Sequence, residues 1–170
     1  MMRETIRFAW GDSSLGDFVV AVSDKGIVAF EFSAMHIAME DALRGRFPEA
    51  AIEPDQEGLA AVIDILGGKI EDPAKACDLP LDLRGTPYEE QVWHMLREIP
   101  AGQTTNYGAL AAKLGSRDAR DVTAAIASNP IAVIVPCHRV IKKDGSISGY
   151  RGGVRRKRTL LAREQHAAGA

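Results

Sequence analysis

The run Ile131-Ala132-Val133-Ile134-Val135 stops at Pro136, and Cys137, His138, Arg139 and Val140 follow at once. A short apolar run rich in β-branched residues and closed by a proline predicts a buried strand up to Val135. Pro136 has no N–H to give a ladder, so pairing stops there. That expectation puts Cys137 at the mouth of an apolar cleft, on backbone stiffened by the preceding ring. A thiol attacks only as thiolate, and a free pKa of roughly 8.5 leaves little of it ionised at neutral pH. His138 is the obvious base. Neighbours on a strand point to opposite faces, so it needs a turn or a bridging water to reach the sulfur. The plainer reading stands beside this one: a cysteine after an apolar run is often a small buried hydrophobe.

At 170 residues the chain has room for one domain or two small ones. Hydrophobic residues make up 46% and charged residues 26%, the balance of a soluble globular protein. No apolar run approaches the ~20 residues that span a bilayer. Met1-Met2-Arg3-Glu4 leads into no signal-peptide core. The two cysteines, Cys77 and Cys137, lie far apart, which excludes a disulfide framework and a cysteine-rich zinc site and suits a reducing cytoplasm. His36, His94, His138 and His166 show no metal-ligand spacing, so no metal is expected.

The net charge of -2 hides an asymmetry. Residues 1–82 carry sixteen acids and seven bases, and residues 83–170 carry seven and fourteen. Such a split suggests that the second half meets a polyanion. Arg151, Arg155, Arg156, Lys157, Arg158 and Arg163 follow one another with no acid between them, an unpaired cluster that reads as a phosphate footprint. A helix face that happens to be basic is the alternative.

Residues 5–10, 18–22 and 26–32 read as strands of a small antiparallel meander, separated by turn-like Asp12–Gly16 and Ser23–Gly26. Helices are expected over 34–47, with Ile37, Leu43 and Phe47 in phase, and over 56–66, ending at Gly67-Gly68. Residues 75–83 read as a connector or edge strand, and the boundary between the halves falls near Leu83. Thr86-Pro87-Tyr88-Glu89 is a capping box with proline at the first helical position, and Val92, Trp93, Leu96 and Ile99 make one apolar face. Two short helices follow: 106–113, capped by Thr105, and 118–128, with a cap near Ser116. Helix, glycine-containing turn, helix is the helix-turn-helix pattern. The second of these exposes Ala119, Arg120, Thr123, Ala124, Ala127 and Ser128. It lacks the residues that read base edges in a major groove, and its small side chains suit close, sequence-indifferent approach to a minor groove. Lys142–Gly145 is a basic turn, the residues from Ser148 to Gly153 form a glycine-rich loop, and a last helix covers 154–165 with Leu160 and Leu161 inward.

Taken in order, Gly85-Thr86-Pro87-Tyr88, Gln91-Val92-Trp93, Thr105-Asn106-Tyr107, Arg120, Ser128-Asn129-Pro130, Pro136-Cys137-His138-Arg139-Val140, Gly149-Tyr150-Arg151-Gly152-Gly153 and Leu160-Leu161-Ala162-Arg163-Glu164 resemble the O6-alkylguanine-DNA alkyltransferases, most of all the C-terminal part of bacterial Ada. The resemblance covers about residues 84–165, with weaker motifs before. It implies an α+β protein: a ribonuclease-H-like N-terminal domain over 1–83 and a mostly helical helix-turn-helix domain over 84–170. It also implies DNA repair without a cofactor. A damaged guanine in double-stranded DNA is flipped out, and its alkyl group moves irreversibly from O6 to Cys137 in a single turnover by a monomer. Activity on O4-methylthymine and the range of alkyl sizes stay open.

The roles that the resemblance implies are these. Cys137 is the nucleophile, His138 takes its proton through a water, and Glu164 orients the imidazole. Asn129 buttresses the turn carrying the cysteine, and Tyr107 donates towards the leaving guanine. Arg120 fills the stack vacated by the flipped base. Cys137, Val140, Tyr150 and Arg151 bind the guanine, and Thr86, Gly108, Ser116 and Lys143 touch the DNA backbone. The N-terminal zinc of some members is not expected, since that half has only Cys77, and the four-cysteine zinc domain of full-length Ada has no counterpart in this sequence. Three other readings compete: a helix-turn-helix regulator with Cys137 as packing, a Cys-His hydrolase, and a silent lesion-binding relative.

Overall fold

A computed structural model describes residues 3–115, 118–147 and 149–168. Strands β1 (Thr5–Gly11), β2 (Phe18–Val22) and β3 (Ile27–Phe32) form the expected antiparallel meander. A fourth strand, β4 (Ala51–Pro54), was not foreseen; it pairs parallel to β1 and completes the order β3-β2-β1-β4. All five residues of β2 are buried, because the sheet is covered on both faces. Strand geometry turns alternate side chains to opposite faces: Phe18, Val20 and Val22 enter the larger core cluster, and Val19 and Ala21 enter a smaller one with Leu43.

Helix α1 (His36–Arg46) supplies Leu43, fully buried, but Ile37 is 79% exposed and belongs to no core face. Helix α2 (Ala60–Glu71) does not stop at Gly67-Gly68. Glycine inside a helix costs about 1 kcal/mol, and burial of Leu66 and Ile70 offsets that cost. Lys69 adds to the reason: its buried Nζ donates to the Pro73 and Lys75 carbonyls and ties the following loop to the helix. Residues 75–83 form no strand beyond a single bridge between Ile27 and Leu81.

In the second half, local chemistry fixes the elements. Thr86 and Glu89 form the capping box of α3 (Pro87–Arg97), which buries Val92, Trp93 and Leu96. Trp93 Nε1 donates to the Ala125 carbonyl of α5 (Ala119–Ala127) at 2.9 Å. Helix α4 (Tyr107–Leu114) is capped by Asn106 rather than Thr105. The reason is that Thr105-Asn106 is already a short strand, β5, paired with β6 (Val140–Ile141), and the Asn106 amide oxygen is the one that reaches the Ala109 N–H. Gly115 closes α4 at φ 68°, a left-handed position that favours glycine. Asp118 caps α5; Ser116, expected near that cap, lies outside the described residues. The basic turn is present, with Gly145 N–H donating to the Lys142 carbonyl. Helix α6 (Val154–Ala168) closes the chain.

The apolar run 131–135 is not a strand. Only Ile131 pairs, in one bridge to Phe30. The Ile134 N–H bonds back to Ala132, that of Val135 to Ile131, and that of Cys137 to Val135. Val133 sits at φ 65°, a strained position for a β-branched residue. The run is buried all the same, so its composition fits a core coil as well as it fits a strand. The larger core cluster crosses Leu83: Phe18 and Phe30 share it with Trp93, Leu110, Ile131, Cys137 and Leu160. No helix among the described residues is long and apolar enough to cross a membrane.

Candidate active site

Cys137 opens a single 3-10 turn, Cys137–Arg139, directly after Pro136. The turn removes the strand problem, because residues one apart no longer face opposite ways. The thiol is 6% exposed, and Asn129 Nδ2 approaches Sγ at 3.2 Å. The same Asn129 amide donates to the Val135 carbonyl, and its oxygen accepts from the Ile131 N–H, so one buried side chain pins both ends of the coil. Burial pushes the Cys137 thiol up; the Asn129 amide and the charges of Lys157 and Arg151 pull it the other way. The resting group is therefore a thiol that needs a base.

His138 is fully buried, and its Nε2 lies 3.0 Å from Glu164 Oε1 on α6. Burial lowers the imidazole pKa against the opposing pull of Glu164, so the ring is neutral near pH 7. Burial alone raises the Glu164 carboxyl, but bonds from His138 and Arg139 bring it below its ordinary value. An ionised Glu164 accepts a hydrogen bond from the Nε2–H, which leaves Nδ1 as the free base. Nδ1 is buried with no protein partner among the described residues. Arg139 grips Glu164 through Nε at 2.9 Å and through Nη2, and donates to the Ile99 carbonyl. The carboxylate is thus shared between the imidazole and a guanidinium that anchors α6 to the end of α3.

A cavity of about 150 Å³ opens beside Cys137 and is lined by Asn129, Tyr150, Arg151 and Gly152. Val140, expected in the base pocket, lies outside that lining; its carbonyl accepts from Lys157 Nζ at 2.5 Å. Tyr150 brings a buried hydroxyl with no bonding partner among the described residues, and burial raises its pKa well above the ordinary value. Arg151 donates to the Asn129 carbonyl and pairs with Glu31 of β3 at 2.6 Å.

The basic run is corrected by the structure. Arg151 is paired with Glu31, Arg156 donates to the Leu15 and Gly152 carbonyls, and Arg163 donates to the Ile70 carbonyl and Ser14. Lys157 is buried. Among the described residues, only Arg155 and Arg158 of the six are exposed side chains without such bonds. The physical reason is that this helix docks on the first half through its cations. Lys157 was misread as a surface charge, yet Lys157, Leu160 and Glu164 are spaced three and four apart and share one buried helix face. Glu31 and Arg46, which also line the cavity, had no sequence signal.

Among the described residues, none of those expected to face DNA lines the cavity beside Cys137. Thr86, Gly108, Arg120 and Lys143 are exposed, and Tyr107 is half-buried at the start of α4. The Arg120 side chain is 91% exposed and pairs with Asp118 at its own helix cap. The exposed face of α5 is as anticipated from Ala119 to Ala127; Ser128 instead bonds Glu89 and the Ala125 carbonyl. Among the described residues no group of His, Cys, Asp and Glu could hold a metal ion.

A buried thiol followed in the chain by an imidazole that is held by a carboxylate is the arrangement that a cysteine nucleophile with a base and an orienting third group requires. The chain matches the model of the 6-O-methylguanine DNA methyltransferase DNA-binding domain over residues 87–166. It is 39% identical to the Escherichia coli bifunctional transcriptional activator/DNA repair enzyme Ada over 160 residues, covering 94% of this chain and 45% of that protein. It therefore spans less than half the length of that relative. It is 43% identical to the methylated-DNA–protein-cysteine methyltransferase of Mycobacterium tuberculosis over 118 residues, 69% of this chain and 72% of that one. The crystal structure of the Mycobacterium tuberculosis protein in complex with DNA superimposes with a TM-score of 0.76 at 34% identity, covering 94% of this chain and 93% of that one. The chain belongs to the methylated-DNA–protein-cysteine methyltransferase family.

Proposed function

We propose that this protein repairs O6-alkylguanine in double-stranded DNA by moving the alkyl group irreversibly onto Cys137. The observation that carries the reading is the buried Cys137 thiol, with Asn129 on its sulfur and the His138–Glu164 pair in the next residue's side chain. His138 Nδ1 accepts the thiol proton, through a water. The sulfur attacks the alkyl carbon, the S–C bond forms as the C–O6 bond breaks, and guanine leaves with the bonding electrons and takes a proton, donated by Tyr107. The product is a thioether, which nothing in the site reverses, so each molecule acts once.

The lesion must leave the stack to reach a cavity this enclosed; flipping costs a few kcal/mol. Tyr150, Arg151 and the backbone of Cys137 and Val140 hold the flipped base. Arg120 enters the gap, and Thr86, Gly108, Ser116 and Lys143 contact the strand. The pair α4–α5 acts as a helix-turn-helix with α5 in the minor groove, indifferent to sequence because its exposed side chains are small. The order β3-β2-β1-β4, antiparallel then parallel, supports a ribonuclease-H-like reading of residues 1–83, with 84–170 as the alkyltransferase domain. A monomer acting in the cytoplasm completes the reading.

Quantifying O6-methylguanine left in a duplex against added protein tests it. One lesion should be lost per protein molecule, with a sharp end-point. Continued loss at substoichiometric protein would make it a turnover enzyme instead.

A further inference from the structure

The N-terminal sheet reaches into the cavity through one carboxylate. Glu31 on β3 has a side chain only 8% exposed. A carboxylate so buried is costly unless it is paired, and two arginines pair with it. Arg46, the last residue of α1, donates to both oxygens at 2.9 and 3.2 Å. Arg151 approaches Oε1 at 2.6 Å and also donates to the Asn129 carbonyl.

Arg46 and Arg151 line two cavities at once. One is the space of about 150 Å³ beside Cys137. The other, of about 530 Å³, lies towards Phe47, Arg84 and Trp93. The smaller matches an apolar cavity that holds one benzene, so a flipped base leaves it little spare room. The larger has ample room, and Arg46 and Arg151 are the residues whose side chains line both spaces. Glu31 is the side chain that holds both of them in place.

We propose that the Arg46–Glu31–Arg151 triad is a partition between the two cavities, and that it limits the size of the alkyl group Cys137 accepts. It rests on the alkyl-transfer reading above. Glu31 is then a specificity-determining residue contributed by the half of the chain that bears no nucleophile. Bulky O6-aralkyl groups reach the wider cavity only when the partition opens.

The test compares transfer rates from two duplexes that differ only in carrying O6-methylguanine or O6-benzylguanine, read as adduct mass. Wild-type protein should transfer methyl much faster than benzyl. Glu31→Gln keeps the volume, removes the charge and frees the arginines. It should raise the benzyl-to-methyl ratio by about tenfold or more, the scale on which a pocket distinguishes even one methylene. Arg46→Met opens the same wall at a side chain that is 30% exposed and should raise the ratio as well, which covers the case in which Glu31→Gln fails to fold. An unchanged or lower ratio in the folded variants, or equal wild-type rates on both duplexes, overturns the proposal. Absence of methyl transfer by wild-type protein would instead sink the alkyl-transfer reading, and the methyl duplex reports that separately.

Discussion

Burial pushes the Cys137 thiol up and the His138 imidazole down, the two conditions under which the proposed proton transfer from sulfur to ring operates. Two expectations follow at this scale. The His138 pKa lies below its ordinary value of 6.5, so the base is still unprotonated where an exposed imidazole would be half charged. The pH–rate profile of transfer should reach its half-maximum below pH 6.5. A half-maximal rate at 6.5 or above would show the base to be an ordinary exposed histidine or another group. Asn129 gives the second expectation. Asn129→Ala removes donors to Sγ and Val135 and leaves the Ile131 N–H unpaired. Unsatisfied buried groups cost roughly 1–3 kcal/mol, so denaturant unfolding should show a loss of that order, accompanied by slower transfer.

The elements differ in how far the sequence revealed them. Thr86–Glu89, Pro87 and the apolar face of α3 were legible because a capping box acts within four residues. Thr86→Ala should lower stability by about 1 kcal/mol, as loss of such a cap does, measurable as a shift in the denaturant midpoint. The segment 131–135 was misread because a buried coil and a buried strand draw on the same residues; the difference lies in Val133 at φ 65° and in hydrogen bonds that turn inward. Tertiary contacts decided the other departures. The α4 cap moved to Asn106 because Thr105 pairs with Val140, a partner 35 positions away in the chain. That His138 meets Glu164 next to Cys137 was legible through the motif. Glu31 and Arg46 were not, because their proximity to Cys137 depends on the docking of β3 against residues 130–132.

On the scale of the whole molecule, charge divides into a docked part and a free part. Arg84, Arg151, Arg156 and Arg163 bond groups of the N-terminal half, whereas the Arg120 side chain on α5 is 91% exposed. Arg120→Ala should weaken duplex binding and leave the reaction of Cys137 with a small thiol reagent unchanged; a parallel loss of thiol reactivity would contradict its placement. Acid should loosen the fold through the site itself. The folded pKa of His138 is depressed, so its contribution to stability is present above 6.5 and is lost as pH falls below that, where the unfolded chain takes up a proton that the folded one refuses. The depressed Glu164 adds a loss of the same sign at lower pH. Denaturant midpoints should therefore fall from pH 7.5 to pH 5, and His138→Gln, which has no imidazole to titrate, should lose that part of the fall.

The central claim concerns one sulfur. Intact mass and peptide mapping after mixing the protein with a duplex carrying a single O6-methylguanine address it directly. The account predicts one added methyl group, and no more, on the peptide containing Cys137. An unmodified protein still bound to the lesion, or a methyl group on Cys77, would contradict it.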